Sequence, residues 1–193
     1  MNLRALARAV AVAAVILGFA SSAAAQGGGI KFGPTFTEFS SEALDYKNRT
    51  GIHAGLFFGG NRDGLLGLQS ELNWIRKRSE SERNAQLIRI DYLQVPVLLR
   101  LNIGSRSSSG PIVYGLGGPA IDIKIADEID GVTIDNGFEG VDVTMIVGGG
   151  IEVARIVLEG RWDKGFRRIN NLFSDVVEIR KQTFSILVGI RLQ

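Results

Sequence analysis

Beyond residue 28 the chain alternates apolar and polar or small residues with a period of two, segment after segment. Ile52, Ala54, Leu56 and Phe58 alternate with Gly51, His53, Gly55 and Phe57. Leu66, Leu68, Ser70, Leu72 and Trp74 alternate with Gly67, Gln69, Glu71 and Asn73. The same rhythm runs through Val141–Val147, Ile156–Trp162 and Phe184–Leu192. Period two is the repeat of a strand whose two faces meet different surroundings. Three further strands are predicted over Gly29–Thr37, Leu87–Ile103 and Pro111–Ile125, which makes eight. Within Leu87–Ile103 the apolar residues switch from even numbers (Ile88, Ile90, Tyr92) to odd ones (Val95, Val97, Leu99, Leu101). One extra residue in a strand has this effect, so a bulge is expected at Gln94–Pro96, with Pro96 in the unpaired position.

The connections alternate in length. Ser40–Thr50, Arg76–Gln86, Asp127–Gly140 and Gly165–Arg180 are long, whereas Gly60–Gly64, Gly104–Gly110 and Ala154–Arg155 are short. Short turns on one rim and long loops on the other predict an all-β fold, an eight-stranded antiparallel up-and-down transmembrane β-barrel. A tilted strand of about 9–11 residues crosses a bilayer, and only a closed sheet leaves no unpaired backbone groups in hydrocarbon. The apolar stripe then faces lipid. Phe36, Trp74, Tyr92, Trp162 and Phe184 fall on that stripe near the loop-side ends, where an aromatic girdle belongs. The opposite stripe faces a narrow interior. It carries Lys31, Thr35, His53, Glu71, Asn73, Arg89, Asp91, Arg100, Asp142, Glu152, Glu159, Arg161, Asp163 and Arg191. Both signs are present, and charges in a narrow lumen must pair. Side chains fill an eight-stranded barrel, so no open pore is expected. The alternatives are a narrow solute-binding or transport path through the charged lumen, and a soluble periplasmic lipocalin-like barrel with the stripes inverted.

The N-terminus adds an address. Arg4 and Arg8 precede an uncharged run from Ala9 to Ala20, and Ala23–Ala25 offers small residues for cleavage before Gln26. This is the three-part pattern of a signal peptide over 1–25, with the barrel domain over 26–193. The leader changes how the charge is read. The whole chain is +2, but two of its 22 Lys and Arg are Arg4 and Arg8, which leaves 20 basic against 20 acidic residues beyond it. Charge therefore gives no argument for nucleic acid as a partner. With no Cys there is no disulfide, thiolate metal site or thiol nucleophile, and His53 as the one His excludes any site needing two. No cofactor is expected.

Several segments resemble a known family. Ile90–Arg100, read IDYLQVPVLLR, resembles the Y-L-x-[IV]-P-[LV]-L-x-[KR] core of the bacterial outer-membrane β-barrel domain family often called PorT-like. Ile30–Gly33 is similar to its opening G-[IV]-K-x-G strand, Leu68–Leu72 to L-x-x-E-L, and Gly148–Glu152 to G-x-G-[IV]-E. Leu158–Gly165 is similar to [LV]-E-x-R-[YW]-x-x-G, and Gly189–Leu192 to the closing G-[IV]-[KR]-[FL]. The resemblance implies an eight-stranded barrel in the outer membrane and implies no substrate. It also implies the barrel assembly machinery as a partner, although the chain closes on Leu192–Gln193 rather than on the aromatic residue many such barrels present to it. An envelope protein partner is a further expectation, because some members are linked to secretion.

Few residues point to chemistry. A lipid hydrolase in a barrel needs a His with a nearby Ser, facing lipid; His53-Ala54-Gly55 offers no such Ser, and His53 falls on the interior stripe. It is read as a hydrogen-bonding lumen residue, and the chain as no enzyme. Arg76, Lys77 and Arg78 in the second loop, with Arg167 and Arg168 in the fourth, are candidates for the phosphates of outer-membrane lipid, including lipopolysaccharide. Asp127, Glu128, Asp130 and Asp135 make an acidic loop without the spacing of a calcium loop, so no metal is assigned.

Overall fold

The structure, a computed structural model, describes residues 27–40, 46–81, 87–104, 110–129, 132–133, 141–165 and 180–192. Among the described residues there are nine strands: β1 (Gly28–Ser40), β2 (Tyr46–Gly59), β3 (Leu66–Ser81), β4 (Leu87–Gly104), β5 (Ile112–Ile129), β6 (Val132–Thr133), β7 (Val141–Val153), β8 (Ile156–Gly165) and β9 (Arg180–Arg191). Neighbours in the order β4-β3-β2-β1-β9-β8-β7-β5 are antiparallel, and a β4–β5 pairing closes the ring into an eight-stranded barrel. The two-residue β6 only extends β5, through Glu128↔Thr133 and Ile129↔Val132. Closure leaves none of the eight ring strands at a sheet edge, which is what lets them lie in hydrocarbon.

The stripes divide as the alternation predicts over most of the ring. Ile30, Phe32, Leu56, Leu68, Val147, Leu158 and Ile190 are exposed outside, while Lys31, Glu71, Glu152, Glu159, Arg161 and Arg191 are buried inside. An isolated stripe of exposed Leu, Ile, Val and Phe on a folded chain is costly in water and favourable in lipid. Inside, Phe57, Leu98, Tyr114, Leu116, Ala120, Ile146 and Val157 pack as a small apolar core beside the charges.

Two expectations change. The predicted bulge at Gln94–Pro96 is absent: β4 keeps one register with β3 from Leu66↔Leu101 to Glu80↔Leu87. The extra residue lies on β5, where Asp91↔Ala126 is followed by Tyr92↔Lys124 and Ile125 is passed over. Pro96 sits in the ladder opposite Ala120 and is buried. The parity switch has a different cause. On β3 and β4 the outer face is apolar as far as Trp74 and Leu93, then turns polar at Arg76 and Asp91; the inner face does the reverse, burying Ile75 and Tyr92. The pleat continues unchanged while the medium outside changes from hydrocarbon to headgroups and water. Tyr92 is therefore a lumen residue and no part of the girdle.

The second change concerns the loops. β2 begins at Tyr46 and β3 runs to Ser81, so most of Ser40–Thr50 and half of Arg76–Gln86 are strand. Cross-strand hydrogen bonds keep forming beyond the membrane because nothing ends the pairing there.

Candidate functional site

The inward side chains sort by height along the barrel axis. At mid-height, Glu71 on β3 and Glu159 on β8 meet Lys31 on β1 and Arg161 on β8. Arg161 donates a fork to Glu71, with Nη1 to Oε2 at 2.7 Å and Nη2 to Oε1 at 2.5 Å, and its Nε donates to Glu159. Lys31 Nζ donates to Glu71 Oε1 at 2.6 Å and to Glu159 Oε1 at 3.2 Å. Gln69 Nε2 (2.6 Å), Asn73 Nδ2 (3.0 Å) and the Tyr114 hydroxyl (2.7 Å, to Glu159) supply the remaining donors. Two carboxylates and two cations thus neutralise each other where all four side chains are buried, each with further hydrogen bonds, which is the condition under which buried ion pairs are tolerated.

Nearer the short turns, Glu152 on β7 collects three arginines. Arg191 Nε reaches Oε1 at 2.7 Å, Arg100 Nη2 reaches Oε2 at 2.8 Å, and Arg62 Nε reaches Oε1 at 2.9 Å. Arg62 comes from the β2–β3 turn, which folds back under the barrel. Its Nη2 donates to the Gly110 carbonyl at 2.7 Å, while Asn102 Nδ2 holds the turn by donating to the carbonyls of Gly60, Asn61 and Gly64. Gly60 has φ +92° and Asn61 φ 38°, the left-handed backbone this tight reversal requires. The excess positive charge is spread onto aromatic faces and carbonyls: Arg100 lies 3.7 Å from the Tyr114 ring centroid, Arg191 lies 5.1 Å from that of Phe57, and Arg191 Nη1 donates to the Gly59 carbonyl.

The loop-side third is acidic. Asp163 accepts a 3.5 Å contact from Gln94, and Asp122 accepts from the Thr144 hydroxyl at 2.8 Å. Asp142, half-buried opposite Asp122, accepts from the Val143 amide. Lys77 lies over the Tyr92 ring at 5.1 Å.

Of the residues predicted for the lumen, Lys31, Glu71, Arg100, Glu152, Glu159 and Arg161 thus meet in two clusters, and Asp142 stands at the rim. Asp91 and Arg89 are corrections. Asp91 is on the outer face, where Arg76 Nε and Nη2 grip it at 2.8 and 2.7 Å, and Arg89 stands two residues further along the same face. Above the lipid-facing belt the polar residues of β3 and β4 take the outer face and the apolar ones the inner, which places both outside. His53 lies in the lumen, fully buried, but neither ring nitrogen has a hydrogen-bond partner among the described residues, contrary to the expected role. Arg76 and Lys77 belong to strand β3 rather than to a loop: Arg76 is engaged by Asp91 and lies 4.8 Å from the Trp74 ring, and Lys77 points inward. The side chain of Arg78, and Arg167, Arg168, Asp130 and Asp135 altogether, lie outside the described residues. Sequence reasoning missed Arg62, Tyr114 and Asn102. The parity of β4 and β5 carries a signal for Asn102 and Tyr114; a turn residue such as Arg62 has no parity to read.

A closed ring of eight antiparallel strands with a lipid-compatible outside and a salt-bridged inside defines the class of small membrane barrels. The family model described as outer membrane protein beta-barrel domain matches residues 10–191, and the chain belongs to that family of the outer membrane. Among solved structures the chain is similar to Neisserial surface protein A (NspA), at 11% identity and TM-score 0.55 over 86% of this chain and 97% of that one. It is also similar to Ail of Yersinia pestis, at 15% identity and TM-score 0.47 over 86% and 99%, and to OprG of Pseudomonas aeruginosa, at 15% and 0.44 over 86% and 93%. These likenesses are of fold. No curated protein matches the chain in sequence.

Proposed function

We propose that the protein is a non-enzymatic, non-conducting barrel that strengthens the outer membrane and meets its partners through the loop-side rim. The observation that carries this reading is the Arg161–Glu71 fork. β3 and β8 stand on opposite walls of the ring, so this fully buried pair, joined by Lys31 and Glu159, ties the barrel across its diameter. The Glu152 cluster and the Arg62 turn add a second layer below it. A path for a solute would have to break both layers, with several charge-assisted hydrogen bonds in each. Against an enzyme stands His53, turned away from lipid and without a partner among the described residues. In this reading residues 1–25 direct export, the assembly machinery inserts the barrel with short turns in the periplasm and the opposite rim outside, and an envelope protein is the natural class of partner.

Planar-bilayer recording tests it. The refolded full chain is expected to give no conductance steps above the lipid baseline. Stable single-channel currents would overturn the sealed reading in favour of a narrow transport barrel.

A further inference from the structure

Two lumen carboxylates stand apart from the rest. Glu71, Glu152 and Glu159 each have both oxygens engaged, with at least one arginine among the donors. Asp122 on β5 and Asp163 on β8 are just as buried, 5% and 2% exposed, yet neither forms an ion pair among the described residues. Their Oδ2 atoms meet neutral donors, the Thr144 hydroxyl for Asp122 and, at 3.5 Å, Gln94 Nε2 for Asp163. The Oδ1 atom of each is buried with no hydrogen-bond partner.

The two carboxylates converge on the same neutral side chains. Gln94 and Asp122 stand directly opposite on β4 and β5, both inward, about 4.5–5.5 Å apart at Cβ. Gln94 also reaches over the lumen to Asp163. Thr144, which holds Asp122, is the diagonal neighbour of Asp163 through the Thr144↔Gly165 pairing. The charge of Asp122 accordingly reaches Asp163.

Buried carboxylates without a counter-charge are costly. A proton on either Oδ1 would be a buried donor with no acceptor, whereas a metal cation bonds to bare oxygen. Lys77, a cation of this end, lies over the Tyr92 ring and pairs with neither aspartate. The donor set is all oxygen: the two Oδ1 atoms, with the Gln94 carbonyl and the Thr144 hydroxyl beside them. Hard divalent cations select such ligands, and one or two carboxylates completed by water suffice for them. No third carboxylate joins the group among the described residues. Asp142, half-buried opposite Asp122, has its Oδ1 on the Val143 amide.

We propose that Asp122 and Asp163 bind one partly hydrated divalent cation, magnesium or calcium, in the loop-side end of the lumen. The site leaves both charge clusters intact, so it does not depend on whether the barrel is sealed.

The test uses the full chain refolded into phosphatidylcholine vesicles, whose lipid carries no net charge. The urea midpoint of the compact band on unheated gels is followed in EDTA and at rising calcium or magnesium, about 0.1–10 mM, a span that brackets extracellular calcium sites. Linkage predicts a midpoint that climbs with the logarithm of the metal concentration once the site fills. D122N, D163N and D122N/D163N should lose the climb. In EDTA the double variant should fold at least as well as wild type, because it sheds two uncompensated charges; the single variants serve if it does not. D142N should keep the climb, and K77M, which removes a neighbouring cation, should start it at lower metal concentration. No climb in wild type, an equal climb in D122N/D163N, loss of the climb in K77M, or an equal climb from potassium chloride at matched ionic strength would overturn the site. The metal that gives the larger shift identifies the ion.

Discussion

Glu71 is the residue on which the lumen turns. It accepts from Arg161, Lys31, Gln69 and Asn73, and its side chain is fully buried. Glu71→Gln leaves Arg161 and Lys31 with Glu159 as the one remaining carboxylate of that cluster. Breaking a buried pair on one side costs about 3–5 kcal/mol, because the stranded charge cannot be rehydrated. The urea midpoint of the folded band should fall accordingly. Lys31→Met made in the same chain removes the stranded cation and leaves Arg161–Glu159 neutral, so the double variant should recover more than half of the loss. A single variant as stable as wild type would mean that Glu71 is already solvated, and the seal across the barrel would lose its physical basis.

At the scale of the strand, the seam between β1 and β9 is the point where the chain's two ends must meet. Its ladder skips from Phe32↔Val188 to Thr35↔Ser185 around Gly33 and Pro34. A Cβ on Gly33 would lie 1.8 Å from the Ile186 carbonyl oxygen, so Gly33→Ala must push β1 away from β9. Gly115 is the contrast: the nearest atom to its Cβ would be 4.0 Å away. Gly33→Ala should destabilise the barrel by about 1–3 kcal/mol and Gly115→Ala by much less, measured as the fraction of heat-modifiable band after refolding. Equal effects would show that the close approach of Gly33 to the Ile186 carbonyl does not constrain the seam. The strands themselves were readable in the sequence, because lipid outside and charge inside impose opposite demands on alternate residues. Thus Glu159 and Arg161 could be placed inside from Leu158 and Trp162 alone. Asp91 and Tyr92 could not, since alternation reports the contrast between two media and that contrast inverts where the strand leaves the bilayer. Arg62 was beyond reach for another reason: a turn side chain takes its direction from the tertiary fold, and only the folded-back β2–β3 turn brings it to Glu152.

For the molecule as a whole, the decisive claim is which medium covers the outside, and its two tryptophans report on it. Trp162 is exposed on β8, in a cross-strand row with Phe184 and Phe36, which are exposed as well. Trp74 lies on the outer face of β3, just below Arg76. Both stand at the loop-side edge of the apolar belt, the depth at which indole rings bridge hydrocarbon and headgroups. In vesicles of brominated lipid, quenching of tryptophan emission should be strong, and stronger with bromine near the headgroup end of the acyl chain than near its terminus. Trp162→Phe should leave the same depth preference from Trp74 alone. A lipocalin-like barrel would bury its apolar stripe inside and keep the opposite stripe in water, so its emission would ignore the brominated lipid altogether. Quenching that was strongest at the bilayer centre would shift the belt by half a membrane and carry the outer-face Arg76–Asp91 pair down into hydrocarbon, where charged side chains facing lipid are costly.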